Sequence, residues 1–298
     1  LPTFPSVRRS TSRSSVLGMQ ASVLVNGLAF GEGPRWHEGR LWLSDMHAHE
    51  VLAVSADGTL ERIAEVPNRP SGLGWLPDGR LLIVSMADRR LLRQEPDGSL
   101  VTHADLSSVA AFDCNDMVVD GTGRAYVGNF GFDLHSRAAP TTAAIALVAA
   151  DGTVRVAAEG LEFPNGTVIT PDARTLVVGE SMGRRLSAFT IAADGTLVDR
   201  RVWADLDGGV PDGICLDAEG AIWYADPRNN RCVRVAEGGE VLATVEVDRG
   251  CFACMLGGPL GTTLFILAAT TSDPVRAVTE RGGQVLALEV DVAGAGWP

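Results

Sequence analysis

Four side chains of this sequence carry oxygen donors at the same point of an internal repeat. The residues at that point, one in each of six copies, are Glu32, Ser71, Asn115, Asn165, Asp212 and Cys251. Two are carboxylates and two are amides, and Ca²⁺, Mg²⁺ and Mn²⁺ prefer oxygen ligands. A zinc site would draw on histidine or cysteine, and we expect the one soft candidate, Cys251, to be packed. The set predicts a site for one divalent metal ion.

The repeat that aligns these residues has the pattern of a propeller blade. Each copy starts with a short apolar strand, then a turn rich in aspartate and glycine, then a second apolar strand, as in residues 71–84. Most copies continue into a third strand, another Asp-Gly turn and a fourth strand, and Asp-Gly between apolar runs is a strong hairpin signal. The copies begin 39 to 50 residues apart, which is the spacing of four-stranded blades.

Six copies predict an all-β fold, a six-bladed β-propeller with four-stranded antiparallel blades and an axial metal site. The first strand of each blade lines the central channel, so the six residues converge at one mouth of that channel. Any one of them alone would be an ordinary turn former, because Asn-Gly and Asp-Gly are common turn dipeptides. Four at one phase of a closed ring favour a site. We expect residues 22–25 to pair with 284–288 and close the ring, which removes exposed sheet edges.

Composition and charge narrow the possible partners. The chain has 298 residues, 46% of them hydrophobic, with a net charge of −12 and a pI near 4.8. Nucleic acid and anionic lipid both require basic patches, so neither is expected as a partner. All 25 cationic residues are arginine, which excludes a lysine Schiff base. The expected partner is a small-molecule substrate, and the sequence does not indicate an oligomeric state.

The sequence also suggests a domain division and a location. Residues 1–18 are basic, serine-rich and free of acidic residues, and we interpret them as a disordered N-terminal extension, although transit peptides have a similar composition. Residues 19–298 are then one propeller domain. There is no secretory signal or apolar run of about 18 residues, and the five cysteines are odd in number. We therefore expect a cytoplasmic protein with buried, structural thiols.

Several motifs are similar to those of one family. They are Phe30-Gly31-Glu32-Gly33-Pro34-x-Trp36, Asn115-Asp116-x-x-x-Asp120, Pro164-Asn165-Gly166, Pro211-Asp212-Gly213 and Trp223-Tyr224-Ala225-Asp226. In order and spacing they resemble the senescence marker protein / gluconolactonase / luciferin-regenerating enzyme family, which includes regucalcin. The resemblance implies a six-bladed propeller, a divalent metal and hydrolysis of lactones. It makes Glu32, Asn165 and Asp212 the metal ligands, and Asn115 a substrate or outer-sphere contact.

The resemblance leads to a hypothesis for the reaction. A metal ion would polarise a lactone carbonyl and acidify a bound water, and Asp212 would serve as catalytic base as well as ligand. Ca²⁺ is the expected ion, with Mg²⁺, Mn²⁺ and Zn²⁺ as alternatives. The alternative functions are a phosphotriesterase- or arylesterase-like hydrolase, a strictosidine-synthase-like condensing enzyme, and a non-catalytic propeller that binds a metal or ligand.

One departure from the family bears on the substrate. Sugar-lactone members commonly carry an arginine two residues before the Asn-Asp pair, and Asp113 stands there in this sequence. A donor has become an acceptor, which places a simple sugar-lactone substrate in doubt. Asn129 and Phe132 follow the second strand of the third blade, and His47 follows that of the first. With Asn115 and Asp113 they are the expected substrate contacts, and we expect a partly apolar substrate.

Overall fold

A computed structural model of the chain describes residues 21–134 and 136–296. The extension expected at 1–18 lies outside these residues. The Asp-Gly turns of the repeat close hairpins as predicted. At Asp57-Gly58 the glycine has a φ of +83° and the aspartate Oδ1 accepts a hydrogen bond from the Thr59 N–H at 3.0 Å. Asp97-Gly98 repeats the arrangement. Glycine adopts this left-handed conformation without steric cost, and aspartate stabilises the turn.

The hairpins build twenty-four strands within the described residues. The first twelve are β1 (Ser22–Leu28), β2 (Gly31–His37), β3 (Arg40–Asp45), β4 (Glu50–Val54), β5 (Leu60–Glu65), β6 (Pro70–Trp75), β7 (Leu81–Ser85), β8 (Arg90–Gln94), β9 (Leu100–Asp105), β10 (Cys114–Val119), β11 (Ala125–Asn129) and β12 (Ala143–Val148). The others are β13 (Val154–Leu161), β14 (Pro164–Ile169), β15 (Thr175–Glu180), β16 (Arg185–Ile191), β17 (Leu197–Asp205), β18 (Ile214–Leu216), β19 (Ile222–Asp226), β20 (Arg231–Val235), β21 (Val241–Glu246), β22 (Gly250–Gly257), β23 (Thr263–Ala269) and β24 (Gly283–Glu289).

These strands form six four-stranded antiparallel sheets. Five blades are consecutive in sequence, namely β2–β5, β6–β9, β10–β13, β14–β17 and β18–β21. In the sixth blade, β22, β23 and β24 are joined by β1, with Ser22 opposite Ala287 and Val23 opposite Leu286. The innermost strands β2, β6, β10, β14, β18 and β22 contact one another in turn, and β22 contacts β2. The predicted six-bladed propeller and its closure are both confirmed.

Apolar side chains pack between the blades. Trp36 of the first blade stacks on Phe265 of the sixth, with ring centroids 5.5 Å apart. Cys215, Cys251 and Cys254 lie in the same buried cluster. All five cysteines are buried and free, as expected for structural thiols.

The short helix α1 (Pro274–Glu280) was not predicted. It lies between β23 and β24, and Asp273 caps it by accepting the Arg276 N–H at 2.9 Å. The Asp-Pro start is a helix signal. The helix is only seven residues long, too short to produce a recognisable apolar period.

The antiparallel order fixes which segments meet at one face of the ring. Each first strand begins where the second strand of its blade ends, so Gly31 lies opposite Asp45 and Pro164 opposite Glu180. The connections from second to third strands therefore share the face on which the six repeat-aligned residues lie. We call that face the mouth, and those six residues the axial residues.

Candidate functional site

A β-bulge follows the axial residue in several blades. The pairing register shifts between Glu32 and Arg35 in the first blade, and equivalent shifts occur in the second, third and fourth blades. A bulge bends the strand and re-aims the side chains beside it. The axial residues were expected just before the strands. Asp212 does precede β18, but Glu32 and Asn165 are the second residues of theirs.

The glycines after the axial residues serve close packing of the inner strands. A Cβ on Gly72 would lie 2.4 Å from the backbone nitrogen of Met117, and one on Gly166 would lie 2.4 Å from that of Ile214. Neither glycine has a positive φ. At Ser71-Gly72 and Asn165-Gly166 the glycine is therefore required by close packing of the inner strands, and not by a turn.

Glu32 and Asp212 meet at the axis. Burial raises the pKa of the Glu32 carboxyl well above its usual range, and the nearby charges of Asp212 and Asp116 raise it further. Burial also raises the pKa of Asp212 to about 8, while a hydrogen bond from Asn165 acts against this shift. Within the described residues neither carboxyl has an ion-pair partner. Both stay partly exposed, so water or an ion can reach them.

A third carboxylate and one guanidinium complete the charges of this cluster. Arg35 and Asp116 form a buried ion pair with 2.9 Å between Nη2 and Oδ1. Burial raises the pKa of Asp116, and the Arg35 charge opposes that shift. When all are ionised, the three carboxylates outnumber the cation by two charges among these residues. That imbalance suits a divalent cation, and the oxygen donors suit the hard ions.

The two axial amides connect neighbouring blades. Asn165 is buried, hydrogen-bonds to Asp212, and donates from Nδ2 to the Ser181 hydroxyl at 3.2 Å. Asn115, also buried, donates from Nδ2 to the Pro164 carbonyl at 3.4 Å. The structure thus brings Glu32, Asn165 and Asp212 into one cluster, with Asn115 on the adjacent blade.

The other two axial residues are packed. Ser71 is buried, and its carbonyl accepts a hydrogen bond from the Ser44 hydroxyl at 2.7 Å. Cys251 is fully buried, and burial raises the pKa of its thiol to about 12. Cys251 therefore lies in the core as expected.

A second ring of residues lies two positions before the axial ring. We call it the outer ring, and its members are Phe30, Arg69, Asp113, Phe163, Val210 and Arg249. Asp113 is buried and forms an ion pair with Arg69 of the neighbouring blade. The carboxylate that replaces the family's usual arginine is therefore matched by an arginine one blade away.

Aromatic rings surround the mouth. Phe30 contacts Phe252 edge-on with centroids 4.6 Å apart, and Phe163 stacks on Phe130 at 4.7 Å. Phe163 also lies 6.0 Å from the predicted substrate contact Phe132. Phe163 has a φ of +62°, which is uncommon for a large residue. Much of the mouth is therefore apolar.

The remaining predicted contacts, His47 and Asn129, differ in their surroundings. His47 lies on a 3-10 turn, Met46–Ala48, with its Nε2 3.2 Å from the Ser272 carbonyl. It also lines a cleft between this turn and helix α1. Asn129 is buried, donates to the Ala144 carbonyl at 2.7 Å and accepts the Gly131 N–H at 3.0 Å. The amide therefore shapes the turn after β11. A substrate contact from Asn129 stays a prediction. It would have to use the second Nδ2 hydrogen or the second lone pair of Oδ1, because the two backbone bonds use the first of each.

Sequence reasoning missed three residues of this region. Asp116 was quoted only as part of a motif, Arg35 occupies the unassigned position of another, and Arg69 was not noted at all. An arginine inside an apolar inner strand is a usable signal for Arg35, because buried charges are normally paired. Arg69 could have been found by comparing the outer-ring positions of all six copies, as was done for Asp113 alone.

A propeller with an acidic oxygen-donor cluster on its axis is the class that fold and site define. Within the described residues, no group of three or more His, Cys, Asp or Glu side chains is arranged to hold a metal. The axial set contains two carboxylates, and its third member is an amide.

The chain belongs to the SMP-30/gluconolactonase/LRE-like family, whose model matches residues 30–270. That range contains all the axial residues. A pentonolactonase of Haloferax volcanii is 25% identical over 254 residues, covering 83% of this chain and 84% of that protein. The resemblance predicted from the motifs is confirmed.

Solved structures agree with this assignment. A calcium-binding regucalcin from Agrobacterium tumefaciens superposes with a TM-score of 0.78 at 25% identity, covering 94% of this chain and 97% of the other. A gluconolactonase from Xanthomonas campestris has a TM-score of 0.75 at 23% identity, with 96% and 94% covered. Of the helices in the described part of the chain, none has the length and apolar character needed to cross a membrane.

Proposed function

We propose that this protein is a divalent-metal-dependent hydrolase that opens a lactone with a water molecule. The observation that carries the proposal is the axial cluster of Glu32, Asn165 and Asp212. Its two carboxylates have raised pKa values, the charge of Asp212 acts on Glu32, and neither has an ion-pair partner among the described residues. Similarity to proteins named as lactonases and as a calcium-binding regucalcin supports the reaction class and the ion.

In this proposal Glu32, Asn165 and Asp212 hold the ion. Ca²⁺ is the first candidate because all three donors are oxygens, and Mg²⁺, Mn²⁺ and Zn²⁺ are alternatives. A bound divalent cation would supply Lewis-acid polarisation of the carbonyl and a more acidic water. Arg35 holds the Asp116 carboxylate at 2.9 Å, beside this set.

The protein's residues would handle the proton and the orientation of the lactone. Asp212, ionised, accepts a proton as the water oxygen bonds to the carbonyl carbon. The ring C–O bond then breaks, and the proton passes to the departing alcohol oxygen, which leaves a hydroxy acid. A bound cation would favour the ionised form of Asp212, which is the form that can accept this proton. Asn115, on the blade next to that of Asn165, is the proposed hydrogen-bond partner of the substrate.

The test is a hydrolysis screen with a pH indicator on chelator-stripped protein. Sugar lactones, alkyl lactones, aryl esters and a phosphotriester are each assayed with Ca²⁺, Mg²⁺, Mn²⁺ or Zn²⁺ added back. We expect metal-dependent acid release from at least one lactone. Metal-dependent turnover of the phosphotriester alone would replace the proposal with the phosphotriesterase alternative.

Metal binding is measured separately, by isothermal titration of the same stripped protein. Asp207→Asn, a change at an exposed position five residues before Asp212, is the control for loss of a carboxylate outside the axial cluster. We expect it to bind and hydrolyse like the wild type. A folded, metal-loaded protein that is silent on every substrate would overturn the enzymatic proposal and favour a binding role.

A further inference from the structure

Arg69 occupies an outer-ring position on the second blade, two residues before Ser71. Its φ is +68°, a left-handed conformation that is uncommon for a residue with a side chain. The backbone is fixed in place, since Arg69 N–H donates to the Val66 carbonyl at 3.0 Å and its carbonyl accepts the Met86 N–H at 2.9 Å. Phe163, at the equivalent outer-ring position of the fourth blade, has a φ of +62°, so this conformation recurs in the ring and fixes where the side chain at this position begins.

Asp113 holds the guanidinium of Arg69 at the mouth. The two residues form an ion pair across the second and third blades, and their side chains are 18% and 9% exposed. Asp113 lies two residues before Asn115, so the pair stands beside the axial cluster. A guanidinium has five N–H donors, so Arg69 can bind a carboxylate and still donate to a second acceptor.

Arg69 also lines a cleft on the outer side of the mouth. The cleft has a volume of about 360 Å³ and lies between the two histidines His47 and His49 and the helix α1. Helix α1 contributes Pro274, Val275 and Val278 to its wall, and the two valines are 77% and 49% exposed. Arg69 thus belongs both to the outer ring of the mouth and to the wall of a largely apolar cleft.

Part of the outer ring offers no hydrogen-bonding side chain to a polyhydroxylated substrate. Two outer-ring positions on the blades that carry Glu32 and Asn165 are Phe30 and Phe163, which have no polar atoms on their side chains. A sugar lactone would have to leave hydroxyls unpaired against these rings, and each desolvated, unpaired group is costly.

We propose that Arg69, oriented by Asp113, is the specificity-determining residue of this site and selects lactones that carry an apolar substituent. Its guanidinium donates to the ester oxygens of the lactone, and the alkyl or aryl substituent lies in the cleft beside Val275 and Val278. This inference rests on the proposed lactonase function. It assigns the arginine that binds the substrate to the second blade, whereas sugar-lactone relatives commonly carry one on the third blade.

The test compares kcat and KM for δ-nonalactone and D-glucono-δ-lactone in the wild type and five variants. Arg69→Met keeps the aliphatic stem and removes the donors. We expect its kcat/KM on δ-nonalactone to fall about 10- to 100-fold, mostly through KM, because a hydrogen bond from a charged donor is lost. Metal affinity, measured by titration, should stay within about 2-fold. The control Arg90→Met, in the same blade with its side chain 48% exposed, should change kcat/KM less than about 3-fold.

Charge exchange tests the pair itself. Asp113→Arg alone places two guanidiniums together and should lower activity on both lactones. Adding Arg69→Asp restores an ion pair with the arginine on the third blade, and we expect it to recover activity with preference shifted towards the gluconolactone. Val278→Asp, which puts charge in the cleft, should raise KM for δ-nonalactone alone.

A binding measurement separates this inference from the proposed function. The metal-free wild type should bind δ-nonalactone in ligand-observed NMR, and Arg69→Met should weaken that binding about 10-fold or more. If the wild type hydrolyses lactones but Arg69→Met matches it in both assays, the inference is wrong and the proposed function stands. If no lactone is hydrolysed with any ion, the proposed function fails, and the inference with it.

Discussion

Two groups of buried carboxylates in this ring have opposite surroundings. The axial group, Glu32 and Asp212, has raised pKa values and no ion-pair partner among the described residues. The other group lies where second strands end, and its members are Asp45, Glu180 and Asp226, all essentially inaccessible. The groups differ in how each carboxylate is neutralised.

The strand-end carboxylates are surrounded by donors. Glu180 pairs with Arg185 at 3.0 Å and Arg200 at 2.6 Å, and it accepts the Glu162 N–H at 2.7 Å. These hydrogen bonds lower the pKa of Glu180 despite its burial. Charges that hold the blades together are thus compensated within the fold, whereas the axial charges are not. Uncompensated charge in a native structure is typical of functional sites.

The largest expected effect separates the groups by activity. Asp212→Asn should lower metal-dependent kcat/KM by about 10³-fold or more, because it removes a proposed ligand and the general base together. The melting temperature of the metal-free protein should not fall at neutral pH, because burial already keeps Asp212 largely protonated and a neutral amide then replaces a neutral carboxyl. Calorimetry and the hydrolysis assay measure the two quantities. Full activity in this variant would contradict the mechanism. Asp207→Asn is the matched control.

Substitutions in the strand-end group should lower the free energy of unfolding. Glu180→Gln should lower the free energy of unfolding by about 3 kcal/mol, because a buried acceptor is lost and two arginines lose their partner. Urea unfolding of the metal-free protein measures this change. The same substitution at Glu237, whose pair with Arg201 is exposed, should cost at most about 0.5 kcal/mol. Equal losses at the two positions would contradict the distinction.

The sequence alone predicted the six-bladed ring and the six residues at its axis. Asp-Gly turns are local signals, so Asp57-Gly58 and its equivalents could be read directly. The axial residues followed from repeat register, because a closed ring converts equal phase into spatial proximity. The closure by β1 was predictable because each blade needs four strands, and the sixth repeat supplies only three after β21.

Contacts between blades were not predictable in the same way. The pairing of Arg69 with Asp113 spans 44 residues and depends on side-chain directions that no periodicity encodes. The β-bulge between Glu32 and Arg35 changes those directions again. Whether Asn129 faces substrate or backbone depends on the turn after β11, and its two backbone bonds are visible only in three dimensions.

A smaller effect should connect the packing of the axis to the site. Gly166→Ala places a Cβ 2.7 Å from the Asp212 carbonyl oxygen, which accepts the Gly166 N–H at 3.1 Å. We expect a loss of about 2 kcal/mol in unfolding free energy from overpacking, together with weaker metal binding as the Asp212 backbone shifts. Gly79→Ala, at an open turn with a φ of +84°, should cost about 1 kcal/mol and leave metal affinity unchanged. Unchanged metal affinity in Gly166→Ala would show that the axial backbone tolerates displacement.

The last expected effect is a pH dependence of the metal-free protein. The raised pKa of Asp212, about 8 when folded and roughly 4 when unfolded, means that the folded state holds its proton more tightly. Stability is therefore greatest below about pH 4 for this group and is lost as pH rises through 8. Each 1 kcal/mol lost should lower the melting temperature by roughly 2–4 °C. A divalent cation binds the ionised form, so its stabilising effect should be larger at pH 9 than at pH 5. Asp212→Asn should flatten both trends, and a wild-type melting temperature that rises with pH without metal would mean that other groups dominate.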